Sequence, residues 1–207
     1  MTQTTTGSAP RPALGAPPAA PVPADPRPLV GEPVSLDLLN TRWVWDRAPH
    51  DLFAGAAGLT RLDGLRVWLA AHGLDARFRA DAPTLIHLLT AREALARAVA
   101  DPADAEALAL VDAVLEHGRL RPTIGPEGPG ERTDFEDPTW GPAWLAAHDW
   151  LRLMSTAPDR IRGCASESCV LHFLDTSRNG TRRWCSMAVC GNRAKASRHW
   201  ARTRAEG

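Results

Sequence analysis

The stretch Gly163-Cys-Ala-Ser-Glu-Ser-Cys169, followed by Cys185-Ser-Met-Ala-Val-Cys190, decides how the end of this chain folds. Cys164, Cys169, Cys185 and Cys190 are its only cysteines, and their spacing reads C-x4-C-x15-C-x4-C. Two close thiol pairs joined by a short loop suit one tetrahedral metal ion, and zinc is the metal that this ligand set favours. We therefore predict a single structural zinc ion held by all four side chains.

The N-terminal sequence and the absence of long apolar stretches indicate the cellular compartment of the protein. The N-terminus has neither a basic n-region nor an apolar h-region, and no stretch is long and apolar enough to cross a bilayer. We expect a cytosolic protein without a membrane partner, where thiols stay reduced. This favours metal binding over the alternative of two structural disulfides.

Charge is divided unevenly along the chain. Residues 160–207 carry ten Arg or Lys and three Asp or Glu, whereas the first 159 residues carry fourteen basic and twenty-one acidic residues. The net charge of zero therefore hides an acidic body and a basic tail. A basic metal-binding tail is suggestive of an anionic partner such as nucleic acid.

Composition divides the chain into three parts. Residues 1–28 are rich in Pro, Ala and Thr and have few large apolar side chains, which predicts a disordered leader. We expect a helical domain over residues 29–157 and a small metal module over residues 158–207, joined by a hinge at Ala157-Pro158-Asp159. The predicted fold class is mainly α with a small β-hairpin.

Hydrophobic periodicity places the helices of the first domain. Residues 34–41 fit a strand or a helix, and a helix is slightly favoured because Leu36, Leu39 and Trp43 would share one face. Residues 46–58 read as a loop. We predict helices over residues 60–71, from Asp81-Ala82-Pro83 to about residue 99, over residues 101–118 and over residues 140–155, with a hairpin within residues 119–135.

The helix over residues 140–155 is rich in Trp. Its predicted buried stripe consists of Trp144, Leu145, His148, Leu151 and Met154. An aromatic ligand pocket around Trp140, Trp144 and Trp150 is an alternative to core packing, which is the default for such residues.

The metal module has a short core of its own. We predict a strand over residues 170–174 with Phe173 inward, a polar turn at residues 175–180, and a last helix from about Arg193 to Arg204 capped by Gly191-Asn192. Trp184 and Trp200 complete this core, and metal binding supplies most of the folding energy of so short a segment.

Two basic surfaces are the candidate phosphate or base contacts. On the last helix, Lys195, Arg198 and Arg202 fall together, opposite the face of Trp200. Arg193 lies near that Trp200 face, so we expect it to be structural. In the turn before the second cysteine pair, Arg178, Arg182 and Arg183 form the second surface, although they would equally neutralise the thiolates or the acidic domain.

These residues resemble the CGNR-type zinc finger. The resemblance rests on Phe173-Leu-Asp-Thr-Ser-Arg-Asn179, Arg183-Trp-Cys-Ser-Met187, Cys190-Gly-Asn-Arg193 and Lys195. Proteins of this family carry an N-terminal domain, called ABATE, that begins with a motif similar to Leu36-Asp-Leu-Leu-Asn-Thr41. The resemblance implies a mainly helical domain followed by a nucleic-acid-binding zinc finger, in a family described as stress-induced transcription regulators.

Four other residues are weaker candidates for binding the metal or lining a pocket. His172 or His199 could replace a thiolate, but four cysteines already close a zinc site. Asp37 and Asn40 could line a pocket, but such residues more often cap a helix or bond a buried backbone group. The sequence has no phosphate-binding glycine loop, nucleophile elbow or zinc-hydrolase motif.

The leading hypothesis is a cytosolic, bacterial-type regulator whose finger binds DNA. Its helical domain would sense a small-molecule effector or form a homodimer. RNA remains an alternative ligand. The rival hypotheses are a protein–protein adaptor, and an enzyme or small-molecule-binding protein in which the zinc is purely structural.

Overall fold

The computed structural model describes residues 21–196 and residue 204. Within that part of the chain, five α-helices form the N-terminal domain: α1 (Val34–Leu39), α2 (Arg61–Ala71), α3 (Ala82–Ala100), α4 (Ala105–Leu115) and α5 (Gly141–Thr156). Six strands pair antiparallel in twos: β1 (Arg42–Trp45) with β2 (Ala48–Asp51), β3 (Gly118–Gly125) with β4 (Gly128–Phe135), and β5 (Ile161–Gly163) with β6 (His172–Leu174). The predicted fold class is confirmed.

Side-chain caps fix where the predicted helices begin. Thr60 and Asp63 form a capping box at the start of α2, and Asp81 accepts a hydrogen bond from the backbone of Thr84 at the start of α3. Helix α4 begins after Asp104, three residues later than expected at Asp101, because the Asp104 carboxylate accepts from the amides of residues 106 and 107.

Helix α5 lies at the centre of the domain and packs against α1, α3 and α4. Its buried stripe differs from the predicted one, since Leu151 is 46% exposed while Trp150 and Leu153 are buried. The buried face also includes three alanines, at positions 143, 146 and 147. Their small side chains allow close approach of the neighbouring helices, whereas the prediction followed residue size.

The expected loop at residues 46–58 is wrong in its first part. A hairpin of β1 and β2 occupies that region, and its turn residues Asp46 and Arg47 both have positive φ, 47° and 61°. The guanidinium of Arg92 on α3 donates two hydrogen bonds of 2.9 Å to Asp51 at the end of β2. This bidentate pair fixes the hairpin to the helical core.

Arg27 lies within residues 1–28, the segment predicted to be a disordered leader. Arg27 is buried and forms ion pairs with Asp25 and with Asp37 on α1. Residues 1–20 of the predicted leader lie outside the described residues. Among the helices that the structure describes, none has the length and apolar character needed to cross a membrane.

Candidate metal centre and nucleic-acid interface

The structure brings the four cysteines together. Their sulfur atoms all lie within 4.8 Å of one another, with 3.7 Å between Cys169 and Cys185 and 3.6 Å between Cys185 and Cys190. A tetrahedral site with Zn–S bonds of about 2.3 Å places its sulfurs about 3.8 Å apart. A disulfide needs about 2.05 Å, and all four cysteines are free thiols. The cluster therefore fits a single structural zinc site.

The first thiol pair is shaped by backbone hydrogen bonds. Cys164 donates to the carbonyl of Leu171 at 2.9 Å, and Cys169 donates to that of Ser166 at 2.8 Å. Both bonds close the turn that carries the pair. The amide of Cys185 points at the sulfur of Cys164, at 3.4 Å, and such an N–H···S contact disperses negative charge on a metal-bound thiolate.

The second pair lies on a helical turn that begins earlier than predicted. Ser186 caps a π-helical turn over Met187–Gly191, and residues 192–196 continue as helix. Asn192 is therefore inside the helix and not at its cap, and its amide donates to the carbonyl of Ala188 at 3.2 Å. The expected cap was placed six residues too late, because the turn holding Cys190 is itself helical.

Three of the thiols have shifted pKa values. Hydrogen bonding with Cys185 lowers the pKa of Cys169 to about 5, whereas burial raises the pKa of Cys190 to about 11. The hydrogen bond with Cys169 and burial raise the pKa of Cys185. A zinc ion bound by these four side chains would hold them all as thiolates and link the two turns.

Arg182 is used inside the module. Its guanidinium donates to the carbonyls of Trp184 at 3.0 Å and Cys185 at 2.5 Å, and it lies 4.2 Å from the ring centroid of Phe173. It also lies 3.6 Å from the carboxylate of Glu32 in the N-terminal domain. With these partners, Arg182 supports the second thiol pair from within the module.

The other basic residues that were predicted to contact nucleic acid are either exposed or lie outside the described residues. Arg178, Arg183 and Lys195 are exposed on the surface of the module. Arg198 and Arg202, together with His199 and Trp200, lie outside the described residues. The structure thus offers three exposed cations on this module from the predicted set.

The predicted support residues have varied surroundings. Phe173 is completely buried, as expected, and Trp184 is half-buried with the Arg183 guanidinium 5.3 Å from its ring centroid. Arg193 is exposed and donates to the hydroxyl of Ser168 at 3.0 Å, which joins the helix to the first turn. This contact agrees with a structural role for Arg193.

The polar turn before the second thiol pair is organised by one carboxylate. Asp175 accepts hydrogen bonds from the backbone of Ser177 at 2.9 Å and of Arg182 at 3.0 Å. The Asp175 carboxylate therefore shapes this turn. Arg160 closes the other side, donating to the carbonyls of residues 175 and 177.

The N-terminal domain holds the finger strand β6 through two polar side chains. The amide of Asn40 donates to the carbonyl of His172 and accepts from its N–H, each at 2.8 Å. Glu32 accepts from the N–H of Leu174 at 2.9 Å. From the sequence we expected Asn40 to cap a helix or to bond a buried backbone group. We predicted no role for Glu32, because a single acidic residue before a helix does not indicate a distant hydrogen-bond partner.

Asp37, the other polar residue of the motif, does not open onto a pocket. It is fully buried, pairs with Arg27 and lies 3.0 Å from Nε2 of His72. Burial alone raises the pKa of Asp37, but the hydrogen bond with His72 and the charge of Arg27 outweigh it and hold that pKa below its ordinary value.

His172 and the Trp-rich helix have structural surroundings. The thiol cluster that fits a metal does not include His172, and burial lowers the pKa of this histidine. Trp144 and Trp150 are each only 4% exposed, and Trp144 donates to the carbonyl of Leu115 at 2.9 Å. Core packing therefore describes these two tryptophans.

Comparison with known families accounts for both parts of the chain. The model described as "CGNR zinc finger" matches residues 160–203, and the ABATE model, described as "Putative stress-induced transcription regulator", matches residues 32–157. The comparison with curated proteins found no match. Because the ABATE match spans more than half of the chain, this protein belongs to the ABATE family and carries a CGNR zinc finger after its ABATE domain.

Proposed function

We propose that this protein is a zinc-containing, DNA-binding transcription regulator of the cytoplasm, with Cys164, Cys169, Cys185 and Cys190 as its zinc ligands. The single observation that carries the proposal is a closed four-sulfur cluster beneath a surface of exposed basic residues. Such a site leaves no coordination position for catalysis. Membership of a family described as transcription regulators supports the same function.

Charge explains how the finger would bind. Residues 160–207 have seven more basic than acidic residues, and four thiolates on one zinc ion contribute a net charge of about −2. About +5 is left to neutralise phosphates. About four phosphate contacts would give a slope of roughly −3 to −4 in a plot of log affinity against log salt.

The proposed contacts are Arg178, Arg183 and Lys195, together with Arg198 and Arg202, which lie farther along the sequence and outside the described residues. The N-terminal domain, from about residue 29 to residue 157, would sense a small-molecule effector or dimerise. Asn40 and Glu32 of this domain form hydrogen bonds with the backbone of β6, and these bonds would transmit effector binding or dimerisation to the finger.

The experiment is a titration of the zinc-loaded protein with fluorescent genomic DNA fragments at several salt concentrations. The proposal predicts the salt slope given above, and at least tenfold weaker binding for a triple Arg178/Arg183/Lys195→Ala variant. A matched control, Arg119/Arg121/Arg132→Ala on the β3–β4 hairpin, removes the same charge from the other domain. A flat salt response, or equal loss in both variants, would contradict the proposal.

One observation favours a second function, that of a protein–protein adaptor. Arg182 of the finger already contacts an acidic side chain of the N-terminal domain, Glu32. A finger that binds acidic protein surfaces would show salt-dependent capture of acidic polypeptides but no affinity for DNA fragments. The titration above, repeated with poly-glutamate, separates the two functions.

A further inference from the structure

A groove runs between the finger and the β1–β2 hairpin of the N-terminal domain. A cleft of about 430 Å³ lies between the first cysteine turn and the last helix, lined by Ala165, Ser166, Glu167, Ser168, Arg183, Trp184, Arg193 and Ala194. A second cleft of about 370 Å³ is lined by Val44, Asp46, Arg47, Ser168 and Arg193. Because Ser168 and Arg193 line both, the two clefts adjoin and the groove crosses the domain boundary.

We infer that this groove binds a single-stranded nucleic-acid segment, with Arg47 and Trp45 of the N-terminal domain as contacts beyond the finger. The inference rests on the proposed function and extends it to a second domain. It assigns the class of ligand, an unpaired strand, from the side chains that line the groove.

Three arginines line the groove, and one of them, Arg193, also donates a hydrogen bond to Ser168. Arg183 and Arg193 line the finger side and Arg47 lines the hairpin side, and all three are exposed. Within residues 21–196, none of these three guanidinium groups is ion-paired with a carboxylate, in contrast to Arg92 and Arg182. Exposed guanidinium groups of this kind suit phosphate oxygens.

Aromatic rings accompany the cations. Half-buried Trp184 lines the first cleft. Trp45, 51% exposed, lines with Ser168 and Arg193 a small cavity that also borders the thiol cluster. A tryptophan ring beside an arginine is a stacking platform on which an unpaired base binds. The bases of a duplex are already stacked on one another, so a duplex cannot use these rings without being opened.

The carboxylates in the groove favour the same ligand. Glu167 and Asp46 line it together with the three arginines, so it is not a uniformly positive track. A continuous row of duplex phosphates would meet both negative charges. An unpaired strand alternates phosphates with base edges, and carboxylates accept hydrogen bonds from base amino groups.

The hairpin turn holds its side of the groove in a fixed orientation. Asp46 and Arg47 both have left-handed backbone conformations, a turn usually made with Gly or Asn. The hairpin is also bound to α3 through Asp51 and Arg92. Arg47 is therefore presented from the turn of a hairpin that is bound to the helical core.

The test uses the full-length zinc-loaded protein and three fluorescein-labelled probes: a twelve-nucleotide oligothymidine, an oligouridine of equal length and a twelve-base-pair duplex. Anisotropy gives each affinity, for wild type and for Trp45→Ala, Arg47→Ala and the control Arg119→Ala. We expect each groove variant to bind both single strands about 5- to 50-fold more weakly, with a smaller loss on the duplex, and the control to bind as wild type. Zinc content and thermal melting confirm that each variant is folded.

The outcomes separate this inference from the proposed function. Salt-dependent binding of duplex without binding of either single strand would overturn the groove and leave the proposed function standing. Single-strand binding that is unchanged in both groove variants would also overturn the groove. Binding of no probe by the wild-type protein would overturn both.

Discussion

The side-chain amide of Asn40 exchanges two hydrogen bonds of 2.8 Å with the backbone of His172, so a residue of the N-terminal helix region pairs with the finger strand as a neighbouring strand would. His172 lies between the two thiol pairs in sequence, three residues after Cys169. The ABATE domain is therefore in direct contact with the segment that positions the metal ligands. Four predictions follow the contacts outward from this pair.

Replacing Asn40 should loosen both the fold and the metal site. Asn40→Ala leaves the partly buried N–H and carbonyl of His172 without these partners, and each unpaired group lowers the free energy of unfolding by up to about 1–3 kcal/mol. We expect a lower urea midpoint and faster zinc release to a chromogenic chelator. Glu127→Ala removes an exposed side chain from the turn between β3 and β4 and is the control, expected to behave as wild type. Equal zinc release rates for Asn40→Ala and wild type would show that the two domains are uncoupled.

Arg182 and Arg183 are neighbours with opposite expected roles. Arg182→Ala removes the donor for two carbonyls beside the second thiol pair, and charged hydrogen bonds of this kind contribute about 1.5–3 kcal/mol each. We expect a lower melting temperature and weaker zinc retention. Arg183→Ala should leave both unchanged and weaken DNA binding. Thermal melting with parallel zinc assays tests this pair, and a reversed pattern would show that the assignment is wrong.

Asp37 should determine part of the acid sensitivity of the fold. Because its pKa is lower in the folded chain than in the unfolded chain, ionised Asp37 stabilises the fold above the unfolded value of about 3.9. That contribution is lost as pH falls through the folded value. Unfolding free energies measured from pH 7 to pH 3 should therefore decline less steeply below pH 4 for Asp37→Asn than for wild type.

The same substitution has a neutral-pH consequence. Asp37→Asn removes one of the two carboxylates that pair with buried Arg27, and breaking a buried pair on one side costs up to about 3–5 kcal/mol. Asp159→Asn, at an exposed carboxylate, is the control and should match wild type at both pH values. If the unfolding free energy of Asp37→Asn declined as steeply below pH 4 as that of wild type, the proposed role of the Asp37–Arg27 pair would be contradicted.

Zinc removal should unfold the finger and spare most of the N-terminal domain. The finger places few large side chains in the core, among them Phe173 and Leu171, and so short a segment depends on its metal. The helical domain has its own buried cluster, including Trp68 and Leu88. Hydrogen exchange after chelation should show full loss of protection at β6 and retained protection in α3. Protection retained at β6 would indicate a finger that folds without metal.

Local signals in the sequence were sufficient for several elements. Thr60 and Asp81 are capping residues followed by apolar periodicity, and the helices begin where they predict. The inward position of Phe173 followed from strand alternation alone. The four cysteines were recognised by spacing, because few arrangements other than a shared metal explain two close pairs of thiols that are expected to stay reduced.

Features that depend on tertiary contacts could not be predicted from the sequence. The β1–β2 hairpin was missed because its turn residues, Asp46 and Arg47, are not the usual Gly or Asn of such turns. The buried role of Arg27 depends on Asp37, ten residues away. The hydrogen bond from the N–H of Leu174 to Glu32 joins positions far apart in the chain, and no local sequence pattern predicts it.

The central claim is that one zinc ion is bound by all four thiolates of the finger. X-ray absorption at the zinc edge, recorded on the protein as isolated, measures the ligand set directly. The account predicts one zinc per chain with four sulfur neighbours at about 2.3 Å. Nitrogen or oxygen neighbours in place of any sulfur, or a protein isolated without zinc, would contradict it.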